Sequence, residues 1–336
     1  MASPSRFNRR HFLQFSVIAT LGTMLRSFPP EDIPSPTPTP LSFTLGRTTR
    51  SLYYYEQPSS SSKALGYYHT DTILHIYEQR KGDPEPTHNP FWLRTAEGWV
   101  HSSFVQPVRQ QTNPPSLEVP TQGFLAEVTV PYTQAWRLQE ERVKRSYRYY
   151  YASTHWVVAA STDQQGKVWY LIRDDLDQST YYVLAQDLRR IPPEELSPLS
   201  PNAKEKRIEV DLAAQRMIAL EDDQVVFSAP ISSGINEGDT PKGTYRIERK
   251  QPSCHMAETF GDAYDFPGVP WVCFISWTGI SFHGTYWHND FGRPRSHGCI
   301  NLTPEASKQV YRWTEPIASA EKRLVKSNQG TLVLVY

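Results

Sequence analysis

Cysteine is scarce: 336 residues hold only Cys254, Cys273 and Cys299. Three thiols cannot make a disulfide framework, so each needs its own explanation. No run approaches the roughly 18 consecutive apolar residues of a membrane-spanning helix. Neither sign of charge is in excess, since 35 Lys and Arg balance 35 Asp and Glu. With no basic stripe or tail, the usual electrostatic reason to expect nucleic acid is gone. What the chain has instead is aromatic residues, 19 Tyr and 9 Trp, recurring in short alternating runs. That composition suits β-sheet better than a helix bundle, and the length calls for two or three domains.

Punctuation divides the chain. Residues 1–28 contain Arg9-Arg10-His11-Phe12-Leu13 followed by a short apolar stretch. This resembles a twin-arginine export signal, so an exported protein is expected, cleaved or held at the membrane by an uncleaved segment. Residues 29–41 alternate proline with small polar residues and should form a stiff, extended spacer. Residues 42–108 read as short strands between turns, and Gly98-Trp99-Val100-His101-Ser102-Ser103 resembles the closing strand of a bacterial SH3-like barrel. Trp92 and Trp99 are expected in its core. After a join at 109–120, residues 121–198 read as a second small β unit, SH3-like on the weaker of the two signals. Prolines from Ile191-Pro192-Pro193 to Pro201 then open a last domain at 203–336.

In that domain Ile208, Val210 and Leu212 alternate, and Glu221-Asp222-Asp223 reads as a hairpin turn. Trp271–Ser276 and Ile280–His283 pair about Thr278-Gly279. Thr303-Pro304-Glu305 opens a helix, with a hydroxyl cap, proline in the first turn and an acid at the positive dipole end. Residues 250–270, with three prolines and little periodicity, are expected to be a long loop acting as a lid.

The chemistry concentrates between His283 and Leu302. A thiol becomes a useful nucleophile when an adjacent imidazole takes its proton. His283 ends a strand, and Cys299 sits among Gly, Ser and His residues, unlike a thiol used only for packing. Gly298 permits close backbone approach, so the amides about Gly298 and Cys299 could form an oxyanion hole. The segment His283…Ser296-His297-Gly298-Cys299-Ile300-Asn301 resembles the signature of YkuD-type L,D-transpeptidases. Upstream, Ser233-Gly234 and Thr240-Pro241-Lys242-Gly243-Thr244-Tyr245 resemble that family's earlier motif, so the likeness spans about 206–336. It implies a mainly β, sandwich-like catalytic domain with one helix after the nucleophile, and the separate signals upstream place one or two small SH3-like β-barrels before it.

By the same resemblance Cys299 would be the nucleophile and His283 the general base and acid, oriented by the Gly284 carbonyl. Ser296, His297, Gly298 and Asn301 would shape the nucleophile loop. Arg295, which is this chain's own feature, could pair with a stem-peptide carboxylate, and Tyr286, Trp287 and His288 could line the donor groove. The implied partners are peptidoglycan stem peptides and the cell wall, and no metal or organic cofactor is required. Two rivals are weighed. His283, His288, His297 and Cys299 could ligate zinc, but no H-E-x-x-H or paired C-x-x-C spacing supports this. A wall-binding protein without catalysis would have little reason to keep both Cys299 and His283.

Overall fold

The computed structural model describes residues 43–83, 88–259, 263–319 and 321–336. The expected export signal and the expected Pro-rich spacer lie outside them. Among the described residues no helix is long and apolar enough to cross a membrane. Strands dominate, and Pro304–Trp313 is the one α-helix of the described residues.

The first unit holds a three-stranded sheet centred on Leu45–Thr48 and a five-stranded sheet ordered Ala64–Tyr68, Leu52–Tyr55, Trp99–His101, Phe91–Arg94 and Glu78–Lys81. Leu52, Leu74, Ile76, Leu93, Val100 and Val105 fill its core, and both Trp92 and Trp99 are buried. The next unit is a seven-stranded antiparallel sheet drawn from Phe124–Arg190. Its inward residues, among them Phe124, Val128, Val157, Tyr170 and Ile172, make a separate core.

Two five-stranded sheets carry the C-terminal part. In one, Leu332–Val335 lies parallel to Lys206–Asp211 and antiparallel to Gly243–Arg246, so the end of the chain sits inside the sheet. Arg216–Glu221 and Gln224–Pro230 complete it as a hairpin whose turn residues Asp222 and Asp223 both have positive φ. That geometry fits a short polar turn between twisted strands. The other sheet runs Ile300–Leu302, Ser281–Gly284, Tyr264–Phe274, Arg249–Glu258 and Val325–Lys326. Ile208, Val210 and Val333 of the first sheet share one core with Phe282, Ile300 and Leu302 of the second and Val310 and Trp313 of the helix. Leu125 and Trp156 of the seven-stranded sheet belong to the same core, so the apolar interior is continuous between these two units. The helix starts as the sequence predicts, with the Thr303 hydroxyl accepting from the Ala306 amide and Pro304 in the first turn.

The expected lid at 250–270 is instead a long hairpin of Arg249–Glu258 and Tyr264–Phe274. Its neighbours in the sheet pair with it only at Arg249–Lys250 and at Cys273–Phe274. Beyond those ends its outer edges carry no third strand of the sheet, and there a proline removes no ladder hydrogen bond. Prolines 252, 267 and 270 therefore broke the sequence pattern without breaking the strands.

Candidate active site

The geometry follows from one parallel ladder. Ser281–Gly284 pairs with Ile300–Leu302, with Phe282 opposite Ile300 and His283 opposite Asn301. Cys299 is thus the residue just before the second strand. Side chains two apart on a strand share a face, roughly 7 Å along it, so Ser281 and His283 point the same way. The Cys299 Sγ lies 3.6 Å from the Ser281 Oγ and 3.7 Å from the Gly279 carbonyl. His283 is the next side chain along that face, and both it and Cys299 line a cavity of about 570 Å³.

His283 is buried, and its Nδ1 lies 3.2 Å from the Gly284 carbonyl oxygen. A carbonyl can only accept, so Nδ1 carries the proton and Nε2 keeps the basic lone pair. Burial pushes the imidazole down to about 4, only partly opposed by that hydrogen bond. Burial also raises the Cys299 thiol, against stabilising contacts from the Ser281 hydroxyl and amide. Both shifts disfavour charge, so at rest the thiol and the imidazole are each neutral.

The loop carrying Cys299 is fixed by hydroxyls. Ser296 Oγ donates to the Cys299 carbonyl at 2.6 Å and accepts from the Gly298 amide at 3.0 Å. The Gly298 amide is therefore engaged, which removes it from the expected oxyanion hole. Thr240 Oγ1 donates to the Gly298 carbonyl at 2.7 Å and accepts from the Gly234 amide, tying the upstream motif to the loop. Gly298 has φ +139°, and a Cβ there would stand 2.6 Å from the Asp239 carbonyl oxygen, so only glycine fits.

Residues 205–335 match the model of the YkuD family, described as the L,D-transpeptidase catalytic domain. This part of the chain is a YkuD domain. The Bacillus subtilis protein named Putative L,D-transpeptidase YciB is 27% identical over 126 residues, 33% of this chain and 63% of that relative. The chain thus spans less than two thirds of the curated relative it matches. The crystal structure of an Enterococcus faecium L,D-transpeptidase mutant is 28% identical, covering 40% of this chain and 51% of that one, with a TM-score of 0.32. The solution structure of the E. faecium catalytic domain gives 28% identity, 40% and 99% coverage and a TM-score of 0.32.

Within the YkuD domain the remaining candidates divide. Trp287, Arg295, Ser296, His297 and Asn301 line the cavity with His283 and Cys299, and the His297 ring stacks on Tyr264 at 5.3 Å. Tyr286 and His288 do not line it. Tyr286 is buried, donates its hydroxyl to the Pro267 carbonyl and packs on Tyr150 of the seven-stranded sheet. His288 lies beneath the loop, accepting the Asp290 amide at Nδ1, with its Nε2 3.0 Å from the Asn301 carboxamide. Burial pushes His288 down to about 3, so the ring is neutral and Nε2 carries its proton. The Asn301 oxygen must then face His288, which turns the Asn301 NH₂ toward the other side of its amide. Among the described residues, no three His, Cys, Asp or Glu side chains converge as a metal cage would require.

Three contributors went unread in the sequence. Ser281 was legible, because strand alternation puts it on the face of His283. Leu176, from a turn of the seven-stranded sheet, walls the cavity and had no sequence signal. Nor had Asp290, whose partners lie far away in the chain.

Proposed function

We propose that this chain is an exported peptidoglycan L,D-transpeptidase acting through a Cys299 thioester. The YkuD domain supports acyl transfer. The observation that carries the finer reading is the Cys299 thiol beside Ser281, one step along the strand from a neutral imidazole whose Nδ1 is tied to Gly284. As Sγ attacks the carbonyl carbon of the third residue of a tetrapeptide stem, His283 Nε2 takes the thiol proton. The tetrahedral oxyanion is left to the Cys299 amide, since Gly298 is engaged. Collapse breaks the peptide bond, and His283 returns its proton to the departing D-alanine amine. The amine of a second stem then attacks the thioester and loses a proton to His283. The new amide is a 3-3 cross-link and Cys299 regains its hydrogen. Water in place of the second amine makes the same site a carboxypeptidase. Arg9-Arg10 and the following apolar stretch support an extracytoplasmic location, where this substrate lies.

The test is incubation of the chain with a disaccharide-tetrapeptide, followed by mass spectrometry of protein and products. D-Alanine release, a tripeptide adduct on Cys299 and a cross-linked dimer are expected, and Cys299→Ala should lose all three. Release that persists in Cys299→Ala would overturn the assignment.

A further inference from the structure

The segment joining base to nucleophile is held from outside the YkuD domain. Asp290 is buried, and its Oδ1 accepts from His88 Nε2 and from Ser103 Oγ, each at 2.7 Å. Both donors belong to the first β unit. The Asn289 amide also donates to the Ser103 carbonyl at 3.0 Å, and Arg47 donates to the Tyr286 carbonyl. On its other oxygen, Asp290 Oδ2 meets Arg295 Nη2 at 2.8 Å and Arg293 Nε at 3.2 Å. Arg295 is the residue just before Ser296-His297-Gly298-Cys299, and it lines the reaction cavity.

A guanidinium on a free loop would swing among rotamers, and ordering it would weaken each hydrogen bond it made. Here Asp290 takes one nitrogen, and His88 and Ser103 fix Asp290 in turn. We infer that Asp290 is a positioning residue through which the first β unit aims Arg295 at the terminal carboxylate of the donor stem. Resting on the transpeptidase reading, this gives the N-terminal module a part in substrate recognition.

The measurement is the affinity of the full-length Cys299→Ala chain for a tetrapeptide stem and for the same stem amidated at its C-terminus. The starting chain should prefer the free acid by about tenfold or more. Arg295→Gln should bind both stems equally. The double variant His88→Ala/Ser103→Ala, which touches neither cavity nor thiol, should lose most of the preference while keeping its affinity for the amide. Restoring a donor with His88→Gln/Ser103→Thr should bring it back. Unchanged preference in the double alanine variant would overturn the inference, as would equal loss of affinity for acid and amide. Failure of wild-type protein to release D-alanine would strike the transpeptidase reading instead, because the affinity ratio is read without turnover.

Discussion

At the scale of single residues, the site is governed by what burial does to two neutral groups. A histidine in water gains its proton near 6.5, whereas His283 is held down to about 4. Imidazolium cannot act as a base, so activity should survive mild acid and fall by half only near pH 4. D-Alanine release measured from pH 3.5 to 8 checks this, and an acid limb centred between 6 and 7 would contradict it. The raised thiol points the same way. A preformed thiolate–imidazolium pair would capture iodoacetamide rapidly at neutral pH, whereas this neutral pair should react slowly until substrate arrives. Sequence told much here: Cys299, His283 and the Gly284 carbonyl are adjacent to recognisable neighbours. It told less about Tyr286 and His288, because polar aromatics beside a catalytic motif look alike whether they face the cavity or support it from behind.

Elements show where local signals sufficed and where they did not. The helix was readable because its determinants are consecutive in the chain, and Thr303 does cap it. Thr303→Ala should cost about 1 kcal/mol of stability, measured by urea unfolding, with the cavity unchanged. The Asp222-Asp223 turn was readable for the same reason. The hairpin at Arg249–Phe274 was not, since proline tolerance depends on which edge of a strand lacks a partner, and the sequence does not say. Arg142–Tyr150 gives no strand signal in the sequence, through the opposite ambiguity. It is an edge strand with only Tyr149 buried, so it carries almost no apolar alternation. The turn presenting Leu176 shows the same limit, because its importance lies in what it packs against.

For the whole molecule, histidines set the pH range of stability. His255 sits between Asp174 at 2.8 Å and Asp265 at 2.5 Å, joining the seven-stranded sheet to the long hairpin. Burial alone would lower it, but the two carboxylates win and push it up to about 9. Its contribution is complete below the unfolded value near 6.5 and disappears as pH rises through 9. His155, His283 and His288, buried and pushed down to about 3, 4 and 3, have the other sign. Unfolding lets them take up protons, so stability falls as pH drops below about 6.5. Lys250, lowered to about 8 by burial, opposes His255 above that pH, which leaves 6.5–8 as the clearest window. Thermal midpoints should decline across it, and His255→Gln should flatten the decline; an equal slope in both proteins would refute the clasp. The contacts that fasten the segment between His283 and Cys299 span 187, 202 and 239 residues of chain. Closures so distant come late in folding, after nearer contacts have shortened the loops. Cys299 consequently gains its finished surroundings late: a folding chain carries the thiol without them until the first β unit has met the stretch from Tyr286 to Asp290.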